Sequence, residues 1–315
     1  MLIDDYRFEC RFLSQALLPA FKGSTLRGAL GHALKKIACA LRRNSCDSCL
    51  LTGTCPYAFL FETEKIDRRA TAANTRLSGR PHPYVLVPPV DHSRHYNIGD
   101  SFSFALKLFG KANDFLPHLI YGIELMGQEG LGRKQDTNPG LFSLAKVFQD
   151  GQKIYDGDSR ILQPIPQHPD LLLTDQPAVP VDDLTVQLKT PLRLKQKNHL
   201  QGEALPFQTL IRAALRRISS LENFYGNGEP PLDYKGLTHR AGLVKTMNNN
   251  CRWIEFERYS SRQKTTMMIG GLSGIVQYAG ELTEFLPVLR YCEQTHLGKQ
   301  TSFGLGQIQI SAGDG

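Results

Sequence analysis

One order of elements is written twice along this chain, and that duplication limits the folds open to it. Residues 157 to 183, "GDSRILQPIPQHPDLLLTDQPAVPVDD", hold five prolines and little periodicity, which is the composition of a linker. Before it, "YRFECRFL" reads as a strand, and "STLRGALGHALKKIACALRR" reads as a helix with Ser24 as its N-cap. Leu26, Leu30, Leu34, Ile37 and Leu41 recur there at helical spacing and predict one apolar stripe. "PYVLVPP" and "SFSFALKLF" follow as strands, residues 114 to 126 as a second helix, then a glycine-rich turn, then the strand "LFSLAKVF".

After the linker the order returns. "LTVQLKTPLRLK" alternates as a strand, and "PFQTLIRAALRRISSLENF" is a helix with Pro206 near its first turn. Its apolar face carries Phe207, Leu210, Ile211, Leu215 and Ile218. Residues 251 to 258 and 264 to 278 predict strands, "ELTEFLPVLRYCEQ" a helix, and "GQIQI" the last strand. Each half therefore reads β-α-β-β-α-glycine loop-β, a ferredoxin-like order. The expected class is α+β, with two tandem βαββαβ domains over residues 1–165 and 180–315 and a cysteine-rich insertion in the first. A single mixed sheet is the alternative.

Composition narrows the functions. Apolar residues at 41% and charged residues at 21% exclude wholesale disorder. The net charge of +7 permits an anionic partner such as nucleic acid without demanding one. The start "MLIDDYRFEC" puts acids where a signal peptide carries basic residues, and no apolar run approaches the roughly 20 residues of a membrane span. The expectation is a cytoplasmic protein with no membrane partner.

The stretch "HLGKQTSFGLGQIQI" invites comparison with nucleotide-binding loops. A P-loop runs strand, glycine loop, helix, so that the helix N-terminus faces the phosphates. Here the order is helix, loop, strand, and Glu293 stands where Lys299 would require the first glycine. Gly298, Gly304 and Gly306 instead allow close approach and positive φ, so that successive N–H groups could cradle an anion. Lys299 adds charge, and Gln300, Thr301 and Ser302 add donors. A helix C-cap leading into a bulged strand is the structural alternative. A twin loop with Gly127, Gly130, Gly132 and Gly140, carrying Arg133 and Lys134, points to a shared use of the two loops on an extended polyanion.

Cys39, Cys46, Cys49 and Cys55 give C-x6-C-x2-C-x5-C, with the tight pair spacing of a zinc knuckle. Four thiolates would close a structural zinc site that braces the insertion and takes no part in catalysis. A redox pair competes, although "CDSC" does not open a thioredoxin-like helix. Cys10, Cys251 and Cys292 read as core residues.

The combination "FKGSTLRGALGHALKKIAC", the cysteine cluster leading to "CPYAFLFE", then "TPLRLK", "RYSSRQ" and "HLGKQTSFGLGQI" resembles the CRISPR-associated RAMP superfamily, and within it the pre-crRNA-processing endoribonucleases. The resemblance runs from about Phe21 to Ile310 and is most specific at the C-terminal glycine loop. It implies two ferredoxin-like domains akin to RNA-recognition modules, binding of CRISPR repeat RNA, other CRISPR-associated subunits as partners, and cleavage without a catalytic metal. The implied reaction is attack of a ribose 2′-OH on the adjacent phosphate, which leaves a 2′,3′-cyclic phosphate and a 5′-OH. A non-catalytic RAMP subunit that holds guide RNA is the alternative it leaves open.

Within that resemblance His32 is the first candidate for proton donor. It lies on the helix side opposite the leucine stripe, with Lys36 one turn on to stabilise phosphate charge. A solvated histidine on a basic helix face is the competing reading. His296, beside the glycine loop, is a second candidate and could equally complement a helix dipole. His239, His92 and His95 read as loop residues. Arg258, Tyr259 and Arg262 in "ERYSSRQK" interleave cations with an aromatic ring, as phosphate contact plus base stacking requires. Arg212, Arg216 and Arg217 read as a solvated basic helix face.

Overall fold

A computed structural model describes all residues except 42–44, 64–78, 90, 133–138, 165–169, 174–176, 178, 197–198, 201, 261–263 and 314–315. The chain forms two compact units, residues 2–170 and residues 171–315, the latter joined by Met1.

In the first unit, strand β1 (Ile3–Phe12) alternates strictly, and Tyr6, Phe8, Cys10 and Phe12 are buried. That period-two pattern sets one face of a sheet against helices. Helix α1 (Gly23–Ala38) buries Leu26, Leu30, Ala33 and Leu34. Lys22 occupies its N-cap position and no side chain caps it, so the expected Ser24 cap is not used. The leucine stripe stops with the helix: Leu41 lies beyond it and is 38% exposed.

Short helix α2 (Pro56–Phe61) packs on another face of α1 through cation–π contacts. Arg27 sits 4.9 Å from the Phe61 ring and Lys35 5.6 Å from the Tyr57 ring. Strands β2 (Tyr84–Val87) and β3 (Ser101–Phe109), helix α3 (Leu116–Glu129) and strand β4 (Phe142–Gln149) complete the expected order. The chain then continues into β5 (Gln152–Asp156) and β6 (Ile161–Leu162), the latter inside the stretch read as linker. The antiparallel sheet runs β2-β3-β1-β4-β5-β6. Its first four strands follow the ferredoxin order, and stacked rings such as Phe12–Phe102, with centroids 4.7 Å apart, fill its core.

The second unit repeats the plan. Its strands are β7 (Asp183–Leu192), β8 (Lys245–Asn249), β9 (Arg252–Ser260), β10 (Thr265–Ala279) and β11 (Ile308–Ala312). Helices α4 (Phe207–Tyr225), α5 (Tyr234–Arg240) and α6 (Leu286–Thr295) lie between them. The sheet runs β8-β10-β7-β11, and the long β10 pairs with β9 along its first half. Counting β9 as second strand again gives the ferredoxin order, so the α+β tandem reading describes both units. All five apolar positions expected on α4 are buried, and Cys10, Cys251 and Cys292 lie in the core as expected.

Arg217 departs from the solvated face assigned to it. It is buried, its Nε donates to the His296 carbonyl at 3.1 Å, and its Nη2 donates to the Thr295 carbonyl at 2.7 Å. A helix C-terminus presents carbonyls without intrahelical partners, and this guanidinium satisfies those of α6. Burial pulls its pKa down to about 10.

Candidate nucleic-acid interface

In the second unit the segment after α6 is a closed, ordered loop. Leu297 N–H donates to the Gly306 carbonyl at 2.8 Å, Gly306 N–H to Pro191 at 3.0 Å, and Lys299 N–H to Arg193 at 2.8 Å. These bonds staple the loop to the end of β7, the "TPLR" of the sequence. A Cβ on Gly298 would stand 2.6 Å from the Arg193 carbonyl, and one on Gly306 would collide with the Leu297 carbonyl. Both positions have positive φ, so only glycine lets the backbones meet.

At the tip, Gln300 is left-handed with φ 64°, and a 3₁₀ turn over Thr301–Phe303 follows it. Left-handed then right-handed residues turn successive N–H groups toward one concave point. The N–H groups of Gly298, Gln300, Thr301 and Ser302 have no acceptor among the described residues. Thr301 and Ser302 are 7% and 3% exposed as whole residues, so their hydroxyls are not the open donors expected of them.

Cations surround this tip. Lys299 is exposed and has no acidic partner among the described residues. Arg258 on β9 reaches the loop, with its guanidinium 4.8 Å from the Phe303 ring centroid. Arg193 joins them. Its guanidinium lies 5.8 Å from the Trp253 centroid and donates to the Gly270 carbonyl at 3.0 Å. Arg193 and Phe303 were not singled out in the sequence; the signal for Arg193 was its place in "TPLRLK". Arg262 and the side chain of Tyr259 lie outside the described residues.

His296 is at the base of this loop but fully buried, with Nδ1 3.2 Å from the Leu305 carbonyl. Its own carbonyl receives Arg217. That placement corrects the reading of His296 as a proton donor. A side chain sealed between α6 and the loop cannot reach a scissile phosphate, and it serves as a brace.

In the first unit, His32 is exposed and has no hydrogen-bond or ion-pair partner among the described residues. Lys36, one turn on, is 60% exposed and pairs with Glu129, the last residue of α3. Glu129 was not foreseen, because nothing in sequence separation brings residues 36 and 129 together. It immediately precedes the first glycine loop, whose base is closed by mutual hydrogen bonds of 2.9 and 3.0 Å between Leu131 and Gly140. Within this unit, then, His32, Lys36 and the mouth of a glycine loop share one neighbourhood. Arg133 and Lys134 lie outside the described residues. Gly127 is not part of the loop: it is a buried position of α3 packed on the Phe142 carbonyl.

The four cysteines lie in and beside one short turn-rich segment between α1 and α2. Among the described residues no group of three or more His, Cys, Asp or Glu side chains comes together to hold a metal. Cys46 and Cys49 sit in a turn that Thr52 ties down, its hydroxyl 2.8 Å from both cysteine carbonyls. Cys39 caps the end of α1, and Cys55 Sγ lies 3.9 Å from the Ala38 carbonyl.

Comparison with known proteins places this geometry. Residues 186–308 match the family of CRISPR-associated endoribonuclease Cas6, and residues 1–168 match a family described only as an N-terminal domain. An uncharacterized protein of Archaeoglobus fulgidus is 26% identical over 301 residues, covering 95% of this chain and 94% of that one. Among solved structures, a Cas6 product complex superposes with a TM-score of 0.57 at 12% identity, over 98% of this chain and all of the other. Thermus thermophilus Cas6 gives 0.55 at 12% identity over 98% of both chains. A partial Cas6-RT-Cas1–Cas2 complex gives 0.57 at 12% identity over 99% of this chain, which spans only 46% of that longer one. At such identities these likenesses speak for the fold.

Proposed function

From the match of residues 186–308 to the CRISPR-associated endoribonuclease Cas6 family we propose that the chain is a pre-crRNA-processing endoribonuclease of the CRISPR-associated RAMP superfamily, which binds CRISPR repeat RNA and cuts it without a metal. The observation that carries the reading is the loop tip at 300–302. Three successive N–H groups without acceptors among the described residues lie on the loop that carries Lys299 and that Arg258 reaches, an arrangement suited to a phosphate of the RNA backbone.

For cleavage, the ribose 2′-OH attacks the adjacent phosphorus, losing its proton to solvent as the P–O5′ bond breaks. The leaving 5′-oxygen must gain a proton, and His32 is the group we assign to donate it. Lys36 would meet the developing phosphorane charge. Its pair with Glu129 does not forbid this: an exposed ion pair contributes about 0–1 kcal/mol, which a phosphate contact can replace. Products are a 2′,3′-cyclic phosphate and a 5′-OH. A repeat RNA carrying a single 2′-deoxy sugar at the scissile position should bind unchanged and stay intact; its cleavage would refute 2′-OH attack.

A second reading is a subunit that holds guide RNA without cutting it. The same Lys36–Glu129 pair favours it, since it occupies the cation that catalysis would use. Retained tight binding with no cleavage of the all-ribose repeat would select it. Other CRISPR-associated subunits are partners under either reading. A structural zinc enters only as a proposal resting on the cysteine spacing. One equivalent of zinc in the purified protein would support it, and none would remove it.

A further inference from the structure

Trp253 is the chain's sole tryptophan and stands half-buried on β9. One side of its ring is engaged: the Arg193 guanidinium lies 5.8 Å from the centroid. Its Nε1 donates to Glu255 Oε1 at 2.9 Å, and its backbone N–H donates to Glu203 Oε1 at 3.3 Å. No aromatic ring packs on it among the described residues. A large indole kept partly in water, fixed at its edge and backed by a cation, is poorly explained as core packing.

Arg193 links this ring to the glycine loop. Its carbonyl accepts from Lys299 N–H at 2.8 Å, while its guanidinium is pinned to the Gly270 carbonyl at 3.0 Å. The anion cradle and the indole therefore share one rigid residue, as a phosphate and a neighbouring base share one nucleotide backbone.

We infer that Trp253, backed by Arg193, is a stacking platform for an unpaired nucleobase of the bound strand. This rests on the RNA reading above and adds a subsite to it. Base–aromatic stacking needs only an open π-face, and a guanidinium behind the ring reinforces it. The flanking carboxylates sharpen the preference. Glu255 and Glu203 would repel a phosphate, but they accept hydrogen bonds from an exocyclic amine, which adenine has and uracil lacks. The favoured occupant is therefore an unpaired base with an exocyclic amine, such as adenine, whose purine ring offers a large stacking face.

The test uses the full chain, since one tryptophan makes its emission site-specific. Titration with single-stranded oligoadenylate should quench Trp253 fluorescence saturably, and oligouridylate should bind more weakly. Trp253→Leu should weaken oligoadenylate binding, followed by the anisotropy of labelled RNA, by roughly tenfold or more. Trp253→Phe should retain most of the affinity, and this variant keeps the test usable if the leucine variant fails to fold. RNA that binds by anisotropy without changing tryptophan emission, and equally well to Trp253→Leu, would overturn the platform while leaving the RNA reading intact. Failure of the wild type to bind any RNA would overturn both.

Discussion

Lys22 and Arg217 are charges that the folded chain takes out of water, and each is retained by hydrogen bonds to groups that would otherwise lack them. Lys22, 1% exposed, donates to the Asp91 carbonyl at 2.9 Å and approaches Asp91 Oδ1 at 3.3 Å. Burial pushes the Asp91 carboxyl up, but the Tyr96 hydroxyl and the Lys22 ammonium outweigh it and hold the group below the usual carboxylate range. Its stabilising contribution is complete above the unfolded pKa of about 3.9 and is lost as pH falls through the lower folded value. Thermal unfolding measured below about pH 4 should therefore show the wild type losing stability toward that of Lys22→Met. Arg217→Leu should cost roughly 3 kcal/mol, read as a lowered Tm, because two carbonyls at the end of α6 lose a charged donor. On the functional side, His32→Ala should lower the cleavage rate by about 10²–10⁴ with RNA affinity unchanged. His32 was legible as a candidate from helical spacing alone. The burial of Arg217 and His296 was not, because both depend on where α6 ends against α4, a contact between residues 78 and 79 positions apart.

Among the elements, the C-terminal glycine loop carries the binding claim. Gly306→Ala should reduce RNA affinity by at least tenfold and lower Tm as well. The new Cβ would strike the carbonyl of buried Leu297 and reshape the loop. The loop's position between helix and strand was readable from punctuation by glycine, and the burial of Thr301 and Ser302 was not. Whether Thr301 and Ser302 face solvent depends on stapling to β7, more than a hundred residues earlier. Strands and helices with strong periodicity were equally readable, as α4 and β1 illustrate. Helix α5, with seven residues, and β8, with every residue exposed, bury too little apolar surface to leave a pattern. The cysteine spacing marks a tight turn faithfully, since Thr52 holds Cys46 and Cys49 in one, but ligand convergence is a three-dimensional property that spacing alone does not fix.

For the whole molecule, duplication is the organising fact: two units, each with its own antiparallel sheet in ferredoxin order and its own glycine loop between second helix and last strand. The duplication could be read from sequence because element order survives where residue identity does not. The boundary was blurred because β6 lies within the proline-rich stretch. With Arg258 and Lys299 as phosphate contacts at one loop, log K against log salt should fall with a slope of about −1.4. A slope near zero would mean that the basic surface is not the binding surface. The central claim, that this chain cuts repeat RNA by its own ribose chemistry, is tested most directly by mapping the ends formed when purified protein meets repeat RNA in excess chelator. The account predicts a 2′,3′-cyclic phosphate on one fragment and a 5′-OH on the other. Intact RNA, or ends bearing a 5′-phosphate, would contradict it.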